Sequence, residues 1–179
     1  FSIEKVNTPG QPFRALVQYK NFSHLYLRII DVHNQFKNEL ENYYDDKFWN
    51  KILAMSPLRS WDQIMPATND MQSHAVEIKI DPLPAGDYVL LASTDNNFDV
   101  KKSLLGARRV YVSNISYVNN AQNYFVLNRE TGQPLINADV QVWEQKYDYK
   151  SSKYTNQKGS SYKTDSKGFF QLNRARDPN

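Results

Sequence analysis

The chain of 179 residues has no cysteine. That excludes disulfides, a thiol nucleophile and cysteine-ligated zinc. It leaves the compartment open, since many bacterial secreted domains also lack cysteine. Glycine is scarce, with six residues, and each falls where a turn is expected. No glycine-rich phosphate cradle and no Gly-x-Ser-x-Gly elbow is present. No run of about 18 apolar residues occurs, so no helix of this chain is expected to span a membrane. The opening "FSIEKVNTPGQPF" has neither the basic start nor the apolar core of a signal peptide. Excess charge is lacking too. A net charge of +3 without clustered Lys and Arg gives no reason to expect nucleic acid.

What is present is a globular composition, 40% apolar and 23% charged, with twelve tyrosines suited to half-buried pleated surfaces. "PFRALVQYK" (12 to 20) alternates Phe13, Ala15, Val17 and Tyr19 against Arg14, Gln18 and Lys20. That period of two predicts a strand with one buried face. "SHLYLRIID" (23 to 31) repeats it, and the two are expected to pair as a hairpin. The period then changes. Phe36, Leu40, Tyr43 or Tyr44, Phe48 and Ile52 predict an amphipathic helix over roughly 34 to 55, stopped near Pro57. "LRSWDQIMPATNDMQ" reads as an irregular return with a short helical turn. "HAVEIKID" (74 to 81) and "DYVLLAST" (87 to 94) read as strands joined by a "PLPAG" turn. "ARRVYVSNISYV" (107 to 118) reads as one long strand or two sharing a bend near Asn114.

Farther on, "YFVLNRE" leads into "ETGQPLINADVQVWEQ", a turn feeding a strand through Val140 and Val142. "KSSKYTNQKGSS" reads as a polar loop or hairpin tip. "YKTDSKGFFQL" closes with Asp165 and Gly168 at a turn and an apolar strand behind it. Short strands at regular spacing predict antiparallel β-sandwiches. An Asn-rich patch near 113 to 121 marks the expected boundary, with Asn119 and Asn120 near the junction. Both ends read as cut, which points to an excised piece of something longer.

Candidate chemistry is thin. His24, His33 and His74 share no metal-like spacing, and structural or surface roles are the ordinary reading. Asp95, Asn97 and Asp99 match the first ligand offsets of a calcium loop. Val100 then stands where glycine is needed and Gly106 where a bidentate glutamate is needed, so a polar loop is the better reading. Asp45 and Asp46 fall on the expected helix, where paired carboxylates more often solvate a face than transfer protons. "NFS" (21 to 23) and "NIS" (114 to 116) match a glycosylation acceptor that matters only in a eukaryotic secretory host. Lysines 146, 150, 153, 158, 163 and 167 are spread among tyrosines and read as a solvated face. No catalytic, cofactor-binding or metal-binding residue is nominated, and no cofactor is expected.

"ETGQPLINADVQVWEQ" followed by "YKTDSKGFFQL" resembles the strand–turn–strand signature of macroglobulin-like domains and their carboxypeptidase-regulatory-like cousins. "TPGQPFRALVQYKNFSHLYLRIIDV", "VEIKIDPLPAGDYVLLAS" and "ARRVYVSNISYV" sharpen it. Together they are similar to the N-terminal part of the bacterial alpha-2-macroglobulin family, in its large Bacteroides-type form. The resemblance runs from about 8 to 172 and is weakest over 34 to 73.

The resemblance implies a mainly β fold of two tandem antiparallel sandwich modules. The first would span 1–113, with a helical insertion at about 34–73, and the second 114–179, incomplete. It implies a large secreted or periplasmic parent, often a lipoprotein, that traps proteases through a bait segment and, in many members, a thioester. The thioester needs a Cys-x-x-Gln-type motif that this chain lacks, so no functional residue carries over. The expected partners are neighbouring macroglobulin domains of the parent, and proteases through the whole parent; an enzyme is not expected. A second hypothesis stays open: a surface glycan- or protein-binding sandwich that uses exposed aromatics among Trp49, Trp61 and Trp143.

Overall fold

The structure is a computed structural model that describes residues 1–32, 46–68, 70–149 and 152–173. The chain divides into two compact units, Phe1–Ser113 and Asn114–Asn179.

In chain order the first unit contains β1 (Ser2–Ile3), β2 (Val6–Asn7), β3 (Phe13–Tyr19), β4 (His24–Asp31), α1 (Asp46–Leu53), β5 (Arg59–Ile64), β6 (His74–Ile80), β7 (Gly86–Ser93) and β8 (Leu105–Val112). They build a three-stranded sheet, β1-β3-β6, and a five-stranded sheet, β2-β8-β7-β4-β5. All pairings are antiparallel except β2 with β8. The alternation read in β3 is observed, with Ala15, Val17 and Tyr19 inward and Arg14, Leu16 and Gln18 exposed. These side chains meet Leu25, Leu27 and Ile29 of β4, Ile78 and Ile80 of β6, and Leu90 of β7 in one core. This is a sandwich, two sheets closing one apolar layer.

Two expected hairpins are instead crossings between sheets. β3 pairs with β1 and β6, and β4 with β5 and β7, so 12 to 20 and 23 to 31 never pair. Asn21, at φ +54°, turns the chain out of one sheet and into the other. Likewise β6 and β7 lie in different sheets, and the "PLPAG" segment carries the chain across the edge, tucking Leu83 into the core. Alternation tells which face is buried. It does not tell which sheet a strand joins.

The segment read as an irregular return contains β5, an edge strand paired with β4. Its half-buried face carries Arg59, Trp61 and Gln63, two of them polar, which is why the apolar pattern is faint. Arg59 spends its guanidinium on the carbonyls of Asp81 and Pro82.

A second core lies on the opposite face of the five-stranded sheet. There Phe48, Trp49 and Ile52 of α1 pack with Ile30, Val32, Val89, Leu91 and Ala107. Successive residues turn about 100°, so the three fall within one apolar stripe about 100° wide. Asp46 in the first turn and Lys51 in the last complement the helix dipole. The apolar stripe read at Phe48 and Ile52, which a helix buries on a sheet face or at a joint between modules, lies on the sheet face; Phe36 and Leu40 of the same stripe lie outside the described residues, as does the expected helix start. Asp87 and Arg109 form a bidentate, largely buried ion pair between β7 and β8, with the guanidinium 4.7 Å from the Tyr111 ring.

The second unit contains β9 (Ile115–Asn120), β10 (Asn123–Asn128), β11 (Asp139–Asp148), β12 (Lys153–Lys163) and β13 (Phe169–Gln171). One sheet runs β13-β10-β9 and a long antiparallel ribbon pairs β11 with β12. The stretch "KSSKYTNQKGSS", read as a loop, lies mostly in β12; polar side chains suit a ribbon exposed along most of its length. The bend expected near Asn114 is a break between β8 and β9, and Asn119 and Asn120 end β9 within the second unit.

Ile52 has 0% exposure, so Ile52→Ala leaves a cavity under the helix. We expect a loss of about 2 to 5 kcal/mol, read by denaturant melts. A melt matching the parent would place α1 outside the cooperative core.

Candidate functional site

The two signature turns of the second unit are built from side chains that cap backbone. Asn128 Oδ1 accepts the amides of Glu130 and Thr131, both at 3.0 Å, and the Gly132 amide donates to the Asn128 carbonyl at 2.9 Å. Gly132 takes φ +71°, and the turn closes on a bridge between Leu127 and Pro134. Asp165 Oδ1 accepts the amides of Lys167 and Phe169 at 2.8 and 2.9 Å. Those bonds, Phe169 first, hold its carboxyl below the usual carboxylate range. Gly168 follows at φ +70°, where an added Cβ would run into the Val126 carbonyl oxygen.

Thr164 joins the two turns. Its hydroxyl accepts the Ala138 amide at 2.8 Å and donates to the Leu135 carbonyl at 2.6 Å, at 2% residue exposure. The sequence pattern marked Asp165 and Gly168. The bonds that Thr164 makes span 26 and 29 residues and leave no local signal.

Between the sheet β9-β10-β13 and the ribbon lies an apolar cleft of about 380 Å³. On the sheet side alternate residues line it, Ile115 and Tyr117, Tyr124 and Val126, Phe170 and Leu172; on the ribbon side the consecutive run 138–142 does, Asp139 and Gln141 included. Tyr124 stacks on Phe170 at 5.0 Å, and Tyr162 lies 5.3 Å from the same ring. Of the apolar side chains described in this unit, Val126 and Phe170 are buried. Ile115 and Tyr117 remain 56% and 65% exposed.

The residues weighed in the sequence do not converge. His24 sits 3.8 Å from Asp62 and stacks on Tyr26. His74 Nε2 donates to Asp70 at 2.9 Å, a bond that lowers the Asp70 pKa. His33 and Asp45 lie outside the described residues, and Asp46 opens α1. Asp95 and Asp99 accept the amides of Asn97 and Lys101, so both are turn-makers. No group of three metal-ligating side chains occurs among the described residues. Trp49 is buried in the helix core, Trp61 is half-buried against the sandwich, and Trp143 is exposed on the ribbon. Lys146, Lys158, Lys163 and Lys167 are exposed, and Lys163 pairs with Asp139. Asn21 donates to the Met71 sulfur, and the side-chain oxygen of Asn114 is buried without a partner. A wider cleft of about 730 Å³ on the first unit is lined by Asn21, His24, Tyr26 and Met71, some of whose polar groups are engaged as described. Among the described residues no helix is long and apolar enough to cross a membrane.

No family model matches the chain, and no curated protein matches it. Among solved structures, the chain is similar to native alpha-2-macroglobulin from Escherichia coli, in a crystal structure spanning domains MG0-NIE-MG1. The TM-score is 0.63 at 14% identity, over 97% of this chain and 56% of that one. At that identity the likeness is one of fold: the chain is mainly β, built of macroglobulin-like antiparallel sandwiches. It spans little more than half the length of the structure it matches.

The turn chemistry yields two expected outcomes. Gly168→Ala should destabilise the second unit by about 1 to 3 kcal/mol, because alanine is strained at that φ and its methyl meets a carbonyl. An unchanged melt would mean that the turn yields without cost. For Asp165 the folded pKa lies below the unfolded one. Its stabilisation is therefore present above the ordinary value of about 3.9 and disappears as pH falls through the folded value. Asp165→Asn should flatten the acid side of a melting-temperature profile, and parallel profiles would refute this.

Proposed function

We propose that the chain is a structural segment of a larger alpha-2-macroglobulin-like protein, its two modules serving as spacers that meet neighbouring domains. The parent in this reading is extracytoplasmic, periplasmic or anchored at the outer membrane, and traps proteases. The single observation that carries the reading is the fold likeness over 97% of the chain to the E. coli alpha-2-macroglobulin fragment. The first unit supports it. Its polar side chains stitch turns, strand edges and one buried ion pair, and no nucleophile meets a base among the described residues. A Bacteroides-type origin rests on the quoted sequence motifs alone.

One observation favours a second reading, a surface-binding module. Tyr147 and Tyr154 face each other on the ribbon with centroids 5.1 Å apart, Tyr149 stands against Tyr147, and all three are exposed. Exposed aromatic clusters are common at binding surfaces.

The test incubates the fragment, and separately the full-length parent, with several proteases and follows cleavage of a large substrate. The parent should protect the substrate and the fragment should not, because trapping is a property of a whole macroglobulin. Protection by the fragment alone would overturn the spacer reading. A parent inert toward every protease would count against the trap and favour the surface-binding module.

A further inference from the structure

We infer that the outer face of the β11-β12 ribbon is a binding surface for an acidic polysaccharide. The inference rests on the surface-binding reading and names the ligand class that this face would take.

A bond that recurs in both units fixes which face is meant. The Met65 amide donates to the Ser23 carbonyl at 2.9 Å, and the Thr164 amide to the Ala138 carbonyl at 3.0 Å. The two bonds close the β4-β5 and β11-β12 pairs at the same end. Counted from those carbonyls, Val140 and Val142 stand where Leu25 and Leu27 stand, turned to the apolar layer. Gln145 and Tyr147 stand where Ile30 and Val32 stand, on the opposite face. In the first unit α1 covers that face, and the connection between β4 and β5 carries the helix. In the second unit β11 ends at Asp148 and β12 begins at Lys153, which leaves barely one helical turn of chain between them. That connection is too short to supply a lid. A strand added beside β11 would widen this face without covering it.

The uncovered face carries a row of rings. Trp143, Tyr147 and Tyr149 share it by alternation, and the register sets Tyr154 against Tyr147 and Lys158 against Trp143. Tyr149 and Tyr154 meet the Tyr147 ring edge-on, each with centroids 5.1 Å away. Exposure is 55% at Trp143, 69% at Tyr154 and 86% at Tyr149. Trp143 and Tyr147 are four residues apart, about 13 Å at the rise of a strand. One sugar ring cannot bridge that distance, and a chain of them can. The electron-rich face of an aromatic ring attracts the polarised C–H groups of a sugar face. Gln145, between the two rings, presents an amide to hydroxyl groups.

Charge selects an acidic chain. Residues 1–113 carry thirteen basic and thirteen acidic side chains, and 114–179 carry nine and six, so the whole excess falls on the second unit. Between 139 and 163 five lysines stand against Asp139, Glu144 and Asp148. Lys163 pairs with Asp139, while Lys146 and Lys158 are exposed on the ribbon. A polymer of uronic acid supplies both partners, sugar faces for the rings and carboxylates for the lysines. An anionic lipid surface would suit the lysines but would bury the Gln145 amide in the middle of the row, at a cost.

The experiment titrates a homogalacturonan oligomer into the 179-residue chain by calorimetry. Beside it run the same oligomer fully methyl-esterified and vesicles of phosphatidylglycerol. The acid form should bind, and more weakly as salt is raised; the ester should bind several-fold less tightly. Trp143→Ala and Tyr149→Ala, both at exposed positions, should each weaken binding by about tenfold, the loss expected for one stacked ring, and leave the melt unchanged.

Absence of binding to the acid form would overturn the proposal. Equal binding of the ester would overturn the acidic ligand. Binding that survives both substitutions would overturn the aromatic face and leave lysines that hold any polyanion. Vesicles bound in preference to the glycan would overturn it in favour of a lipid surface. The surface-binding reading is judged separately, by the protease assay on the full-length parent. An inert parent whose fragment ignores the acid glycan keeps that reading and loses this ligand. A trapping parent whose fragment binds the glycan keeps the site on a chain whose main role is the trap.

Discussion

Strand β7 is buried on both faces, and the architecture of the first unit follows from that constraint. Tyr88, Leu90 and Ala92 face the three-stranded sheet, while Val89 and Leu91 face α1 and the loop carrying Phe98. Full burial of a leucine or valine side chain contributes about 1.5 to 3 kcal/mol. One strand thus anchors two apolar layers, and each layer needs its own cover. The β3 sheet covers one. On the other side the helix supplies Phe48, Trp49 and Ile52, and Arg28 lies 4.0 Å over the Phe98 ring. The helix is therefore the second lid of a sheet that would otherwise expose a wet apolar face.

The second unit works under a different constraint. With so little apolar area buried, its order depends on backbone polar groups finding side-chain partners. Asn128, Thr164 and Asp165 satisfy backbone groups in three places along the chain. A buried amide left unmet would cost about 1 to 3 kcal/mol. Turn chemistry there does what core volume does in the first unit. Polar capping fixes backbone geometry without closing an apolar layer, so the unit can be well ordered at its turns and open at its cleft.

The same difference decides what could be read from the sequence. Buried faces were legible wherever one residue in two was apolar. β3 is the clean case, with Phe13, Ala15, Val17 and Tyr19 all turned toward the core. The turns at Gly132 and Gly168 were legible because positive φ favours glycine there. Sheet membership was not. β3 and β4 look like hairpin partners, and one residue at Asn21 sends them to different sheets. β5 was lost because the polar Arg59 and Gln63 occupy its inward positions, and the carbonyls that Arg59 reaches, Asp81 and Pro82, lie more than twenty residues on. As for a site, the sequence nominated none. The cleft stayed invisible because Val140, Val142 and Phe170 read as ordinary core, and only the third dimension leaves Ile115 and Tyr117 uncovered beside them.

Where the polar groups go limits the chemistry left to the molecule. Catalytic sites tend to gather perturbed carboxylates and imidazoles in a cleft. Among the described residues the two carboxylates held below their usual range, Asp70 and Asp165, are exposed and held by local hydrogen bonds: a histidine four residues on, and the amides of a tight turn. The well-shielded ion pair, Asp87 with Arg109, ties neighbouring strands together. In the second-unit cleft the lining is mostly apolar, with Asp139 and Gln141 of the ribbon among it. Its acidic lining residue, Asp139, lies 3.1 Å from Lys163, so that carboxylate too is spent on tying neighbouring strands together.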